Sequence, residues 1–392
     1  MIFQIYWFDV FFAWIFVLFI LHILKKGDFA ISKNEMKYFG PLLVFLFFLL
    51  LAFFVGTITN SLRASIRDIR FLPYYLLIFP FVYFINNEKK MQTLFNVMLT
   101  GCVISFLGNI AGSVLSIRFL SMIGTIAAVQ KYMAFGFAEI KLSPFNSYLI
   151  GIPIIFNRFI MRYDKKKLSM LILLGISLLS LFTFFSKAQM IAVFISIIMT
   201  YYFEWNIISP KTKRRSFLFL IFGFIIISSA GLFETIFNIS DLFDTKNISN
   251  LYRIKEYQVA FASIHGLNIL WGNGFGYRFS FYLVGKLISN TFMHNYYIYL
   301  LAKAGIIALL SFIYLNKKIL MSIKHFKNSY YVSKKRFFIS TSVLSIYAVL
   351  ISGFFTTNMY FGAHIILPIL FGIVIVCTRL ENFPAAKSRV SI

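Results

Sequence analysis

Three arginines stand four and then three residues apart in Thr59-Asn60-Ser61-Leu62-Arg63-Ala64-Ser65-Ile66-Arg67-Asp68-Ile69-Arg70. On a helix this spacing puts Arg63, Arg67 and Arg70 on one face, within about 60° of one another. Like charges stacked in this way repel unless an anion sits among them. Guanidinium groups match phosphate oxygens in pairs and stay charged. Two readings are open: a clamp for a diphosphate, or an interfacial helix whose arginines touch lipid phosphates while Asp68 relieves part of the repulsion. A second cationic set, Arg253, Lys255 and Arg278, is offset by Asp241, Asp244 and Glu256. The same stretch contains Trp271-Gly272-Asn273-Gly274-Phe275-Gly276, whose glycines suit a tight turn or a close backbone approach. Their spacing is not that of a dinucleotide fingerprint. His294-Asn295 follows. An imidazole there accepts a proton near neutral pH, or serves as a cap at the mouth of a helix. Lys303, nine residues later, points away from His294 and lies about 13 Å deeper along a helix axis. An ionisable side chain at that depth is a functional hypothesis by default, with structural pairing, for example to Asp9, as the alternative. Ser186-Lys187 forms the tip of a tight hairpin, where the lysine points at an anionic headgroup or at solvent.

The elements that must position these residues are set by composition. Of 392 residues 60% are apolar, 20% aromatic and 13% charged, and the mean hydropathy is +0.82. A soluble domain averages about half apolar and a quarter charged, and its core cannot absorb this much hydrocarbon. Soluble enzymes, nucleic-acid-binding domains and disordered linkers are therefore excluded. The long unbroken apolar runs also lack the period-two alternation of a membrane barrel. The expected fold is all-α, a polytopic integral membrane protein with about eleven (ten to twelve) transmembrane helices. The runs are 5–24, 40–58, 71–86, 91–117, 143–160, 168–185, 189–203, 216–236, 291–314, 337–357 and 362–378. The third and seventh are short enough to be half-spans. The first leads straight into Lys25-Lys26 and is expected to be retained rather than cleaved. Three regions result: helices one to eight over 1–236, a large outer loop over 237–290, and helices nine to eleven with a tail over 291–392.

Sidedness follows from Lys and Arg. Connections 25–39, 86–90, 158–167, 204–215, 316–336 and the C-terminal tail hold 25 of the 38 basic residues, and the opposite connections hold 12. The richer set is expected to be cytoplasmic, with the N-terminus periplasmic and the C-terminus cytoplasmic. Most of the formal net charge of +25 is thus topology and attraction to anionic lipid, not a nucleic-acid signal. The basic residues outside against this trend are the informative ones. Cys102 and Cys377 both fall in apolar runs and make neither a metal set nor a disulfide framework.

Taken in order, these features resemble the O-antigen ligase/polymerase superfamily of bacterial membrane glycosyltransferases, from about residue 60 to about residue 315. That family carries His-[Asn/Ser/Gln], nine residues, then Gly-x-x-[Gly/Thr/Tyr]. Here the pattern reads His294-Asn295, nine residues, then Gly305-Ile306-Ile307-Ala308, and Ala308 departs from it. The family's Ser-Arg at the hairpin corresponds to Ser186-Lys187, a cation without the bidentate fork. Its Arg before a helix and a Gly-x-Gly turn corresponds to Arg253 and Gly272–Gly276.

The resemblance implies an enzyme of the bacterial inner membrane that moves a glycan from undecaprenyl diphosphate at the periplasmic face, independent of metal and without a cofactor. His294, Arg253 and Arg67 would be catalytic, and Arg63, Arg70, Lys187, Arg278 and Asn295 would bind diphosphate or glycan. Breaking the sugar–phosphate bond develops charge on the leaving diphosphate, which preorganised cations stabilise. The partners would be the lipid-linked oligosaccharide, membrane lipids and a chain-length regulator, with no nucleic acid. A polymerase joining repeat units in lipopolysaccharide O-antigen biosynthesis is the first reading. A ligase acting on lipid A–core is the second. A lipid-linked-glycan flippase would instead show short outer loops and polar residues along several spans, and few polar residues are evident mid-span.

Overall fold

The first long helix has its start written into the sequence. Ser32 and Glu35 form a reciprocal capping box, with Ser32 Oγ accepting from Glu35 N at 3.3 Å and Glu35 Oε2 accepting from Ser32 N at 2.8 Å. The computed structural model describes residues 7–26, 31–70, 72–114, 128–134, 137–141, 147–161, 167–183, 187–205, 208, 210, 213–214, 217, 248–326, 334–354 and 363–381. Helix α1 (Trp7–Lys26) and α2 (Lys33–Thr59) are followed by α3 (Leu62–Ile69). Ser61 caps α3 by accepting from Ala64 N.

The run 71–86 is not one span. It divides into α4 (Leu72–Tyr75) and α5 (Ile78–Phe84), with Pro73 and Pro80 each in a first turn. Proline lacks the N–H that a helix interior needs, so the helix restarts at each of them. Next come α6 (Glu88–Val114), α7 (Ser147–Ile160), α8 (Lys167–Thr183), α9 (Lys187–Glu204), α10 (Ile248–Ser263) and α11 (Asn268–Trp271). The last three helices are α12 (Tyr296–Phe326), α13 (Lys334–Ser352) and α14 (Ala363–Glu381).

Among the described residues three helices are long and apolar enough to cross a membrane: Glu35–Thr59, Glu88–Ala111 and Tyr296–Ser322. Five shorter apolar helices, Ser147–Ile160, Leu168–Leu181, Gln189–Glu204, Arg336–Ser352 and Ile366–Arg379, fall below the roughly 20 residues that a straight span takes. Three such helices, and not the expected eleven, are therefore found among the described residues, and the expected span 216–236 lies almost entirely outside them. Phe11, Trp14, Phe47, Phe54 and Leu310 are all exposed, an apolar exterior that suits lipid rather than water.

Two hairpins depart from the all-α expectation. Strands β1 (Ala128–Ala134) and β2 (Phe137–Lys141) pair antiparallel, as do β3 (Phe279–Leu283) and β4 (Lys286–Asn290). In β3 the residues Phe279, Phe281 and Leu283 are buried while Ser280 and Tyr282 are exposed, the period-two pattern of a half-buried strand. Val284 and Gly285 make its two-residue turn, both at positive φ (49° and 72°). Polar residues also enter the bundle. Asn157 Nδ2 donates to Ser340 Oγ and Thr341 Oγ1, and Arg336 Nε meets Glu204 Oε2 at 2.9 Å. These tie α7 and α9 to α13 through buried polar bonds that the apolar runs concealed.

Helix α12 is broken at Gly305, where φ is 78° and ψ is 177°. The break frees carbonyls that a continuous helix would commit four residues on. The turn after α11 fills it. Asn273 N donates to Ala302 O at 2.9 Å and Gly274 N to Lys303 O at 3.0 Å. A Cβ on Gly305 would stand 2.0 Å from Leu270 O, and positive φ adds strain of about 1–3 kcal/mol for other residues. Gly305→Ala is therefore expected to lower the thermal unfolding midpoint of the detergent-solubilised protein. Gly175→Ala, in α8 with open space at the Cβ, is expected to leave it unchanged or raise it, by about 0.5–1 kcal/mol of helix propensity.

Candidate functional site

The turn Gly272–Gly276 is a close backbone approach on both sides. Opposite α12 it lies on the end of α2. A Cβ on Gly56 would sit 2.0 Å from Phe275 O, and Phe275 N donates to Ala52 O at 3.1 Å. Ser65 Oγ donates to Phe275 O at 2.7 Å, and Asn60 Nδ2 donates to Asn273 O and Phe275 O at 3.2 Å each. Gly276 N donates to Asp68 Oδ2 at 2.8 Å, and the Lys303 ammonium donates to the same oxygen. Asp68 and Lys303 side chains are both fully buried. The buried ends of α2, α3 and α12 thus meet on one glycine-rich turn.

This arrangement orients α3. Ser65 and Asp68 form its buried face, and the arginine face predicted from spacing points the other way. The three arginines do not share one fate. Arg70 pairs with Asp9 of α1, with Nε to Oδ1 at 3.3 Å, and Tyr74 Oη donates to the same carboxylate. Arg63 is exposed at the start of the helix. Arg67 lines a cavity of about 300 Å³ with Glu256, Arg278, Asn290, Thr291, Phe292 and His294.

Within this cavity Glu256 organises His294. The Glu256 side chain is fully buried on α10, and its Oε2 accepts from both His294 N and His294 Nδ1 at 3.0 Å. In the tautomer with its hydrogen on Nδ1, the imidazole donates to this carboxylate and leaves Nε2 as an acceptor for a ligand. The Tyr252 ring stands edge-on to the imidazole, with centroids 5.4 Å apart at 85°, and Phe281 of β3 stands edge-on to Tyr252 at 5.2 Å. Burial, and after it the Glu256 carboxylate, raises the Tyr252 hydroxyl above the ordinary phenol range, so it stays neutral. Its oxygen accepts from Asn290 Nδ2. The hairpin β3–β4 therefore braces Tyr252, and α10 supplies both Tyr252 and Glu256 against the imidazole.

The remaining expected residues fall elsewhere. Arg253 shares α10 but is not among the cavity-lining residues; its Nε is buried without a hydrogen-bond partner, and its charge acts on Tyr257. Asn295 Oδ1 accepts from Tyr297 N at 3.0 Å and Ile298 N at 3.1 Å, so it caps α12, and its Nδ2 donates to Phe354 O. The cap is Asn295 and not His294. Lys187 is the first residue of α9, and its side chain lies outside the described residues, as do Ser186, Asp241 and Asp244. Lys303 pairs with Asp68 and not with Asp9, which Arg70 and Tyr74 already hold. Glu256 was visible in the sequence only as an acidic neighbour of Arg253. Its one signal, four residues after Tyr252 on the same helical face, says nothing about a partner 38 residues away.

Two arginines, a carboxylate and a carboxylate-oriented imidazole therefore share one cavity. The net positive character suits an anion, and the free Nε2 suits a hydroxyl beside it. No protein-family model matches this chain, and no curated protein does either.

Proposed function

We propose that the chain is a membrane glycosyltransferase that moves a glycan from undecaprenyl diphosphate to a sugar hydroxyl, as an O-antigen polymerase at the periplasmic face of the bacterial inner membrane. The observation that carries this reading is the convergence of Arg67 and Arg278 on the His294–Glu256 pair. In the reaction His294 Nε2 takes the proton of the acceptor hydroxyl as its oxygen bonds to the anomeric carbon. The bond from that carbon to the diphosphate oxygen breaks, and the leaving diphosphate keeps the electron pair. Arg67 and Arg278 stabilise the charge that develops there, in a site partly withdrawn from water. The donor arrives activated, so no nucleotide site is required.

A stained gel of lipopolysaccharide from a strain lacking the gene tests this reading. Core carrying a single repeat unit, with the ladder gone, is the expected result. Bare core with long polymer left on the carrier lipid would assign a ligase instead. An unchanged ladder would overturn the pathway. Complementation with Arg67→Gln or Arg278→Gln is expected to leave the ladder shortened or absent at normal protein level, and wild-type chain lengths in both would remove the diphosphate role.

A further inference from the structure

At the far ends of α2 and α12 from the His294 cavity, a groove of about 520 Å³ opens on the exterior. Lys37, Pro41 and Val44 line it from α2, and Leu310, Tyr314 and Lys318 from α12. The two helices run antiparallel here, with Phe45 and Phe312 rings 5.2 Å apart beside the groove. Lys37 stands 22 residues before the end of α2 at Thr59, and Lys318 stands 22 residues after the start of α12 at Tyr296. At 1.5 Å per residue each is about 33 Å from the outer ends, close to the roughly 30 Å thickness of a bilayer core. Both ammonium groups therefore reach the same, opposite membrane surface. That surface is the one the Lys/Arg excess marks as inner.

From there the groove rises into hydrocarbon. Val44 lies seven residues beyond Lys37 and Leu310 eight residues before Lys318, about 10–12 Å deeper. Val44 (47%), Leu310 (56%) and Tyr314 (48%) are exposed, so this apolar floor is open to the exterior. The cations are also held at the rim. Lys37 Nζ lies 5.1 Å from the Tyr38 ring and Lys318 Nζ 5.2 Å from the Tyr314 ring. Pro41 removes the N–H that would bond the Lys37 carbonyl, leaving an acceptor at the rim. The nearby acid, Glu35, is held by Ser32 and by Arg379, whose Nη1 lies 3.4 Å from Oε1. No carboxylate is among the described residues lining the groove.

We propose that this groove holds one anionic phospholipid of the inner leaflet, with its phosphate between the Lys37 and Lys318 ammonium groups and an acyl chain over Val44, Leu310 and Tyr314. The inference rests on α2 and α12 as membrane spans and is independent of the reaction at His294. A zwitterionic headgroup would bring its own ammonium against two lysines, whereas a glycerol headgroup offers hydroxyls to the free Lys37 carbonyl.

Native mass spectrometry of the full chain released from nanodiscs of equal phosphatidylglycerol and phosphatidylethanolamine tests this. The wild type is expected to retain one phosphatidylglycerol, with a preference on the order of tenfold from two lysines at the surface. Lys37→Gln/Lys318→Gln is expected to lose that preference, and so is Val44→Trp, which fills the floor and keeps both charges. Lys25→Gln/Lys26→Gln, charge-matched at the exposed end of α1, is expected to retain it. Equal retention of the two lipids by the wild type would overturn the site. So would equal losses in the two charge-matched doubles, which would reduce the effect to a diffuse field, or full retention in Val44→Trp.

Discussion

Asp68→Ala is expected to destabilise the protein by about 3–5 kcal/mol, because it strands the Lys303 ammonium in a dry interior. Both side chains of the pair are fully buried, and Asp68 Oδ2 also accepts from Gly276 N. Removing the carboxylate therefore abandons a charge and a backbone donor together. Asp68→Leu/Lys303→Met removes both charges and is expected to recover much of the loss, since paired burial of charge is close to neutral against apolar packing. Unfolding midpoints of the wild type, Asp68→Leu, Lys303→Met and the double variant in detergent check this as a cycle, with Asp68→Ala measured beside them. An Asp68→Ala midpoint equal to wild type would mean that the ammonium reaches water or another acceptor, or gives up its proton.

Under the glycan transfer proposed above, Glu256→Gln is expected to lower the rate by about 10²-fold or more, the scale at which acid–base catalysis contributes. The amide oxygen still accepts from His294 N and Nδ1, so imidazole orientation and tautomer persist. What disappears is the negative charge that stabilises the imidazolium formed when Nε2 takes a proton. His294→Ala is expected to fall at least as far. Rates of repeat-unit joining by purified protein, measured beside unfolding midpoints, separate this from a structural effect. A Glu256→Gln enzyme with wild-type rate would show that Glu256 only anchors the chain at His294, and full activity in His294→Ala would rule out the general base.

Local spacing conveyed much of α3. The 4-then-3 arginine interval predicts a single face, and Ser65 and Asp68 indeed lie buried on the other side. Depth along a helix also identified Lys303 as exceptional, since 1.5 Å per residue needs no knowledge of neighbours. Its partner was not legible, because Asp9 and Asp68 are equally plausible acids until Arg70 and Tyr74 are seen to take Asp9. The glycine run suits either an ordinary tight turn or a close approach, and the structure shows the latter, yet nothing local says that it closes a break at Gly305 about thirty residues later. The β3 alternation was present in Phe279, Phe281 and Leu283 but was masked by its turn. A β-branched Val284 at positive φ is not the residue that signals a two-residue hairpin. Glu256 illustrates the general limit: a carboxylate acquires a role from the group that the fold brings to it, and that information is tertiary.

The contact between Ser65 and Phe275 has a further consequence for how the chain is made. The two residues are 210 positions apart. At about 5–20 residues per second, synthesis leaves α3 waiting roughly 10–40 s before the turn that covers it exists. During that interval the carboxylate of Asp68 has neither Gly276 nor Lys303, and the end of α2 presents Gly56 to no partner. The N-terminal half therefore passes through an open intermediate whose polar notch at Asp68 closes only when Gly276 and Lys303 arrive. Slower elongation between α3 and α12 is therefore expected to lower yield without changing the stability of the finished molecule.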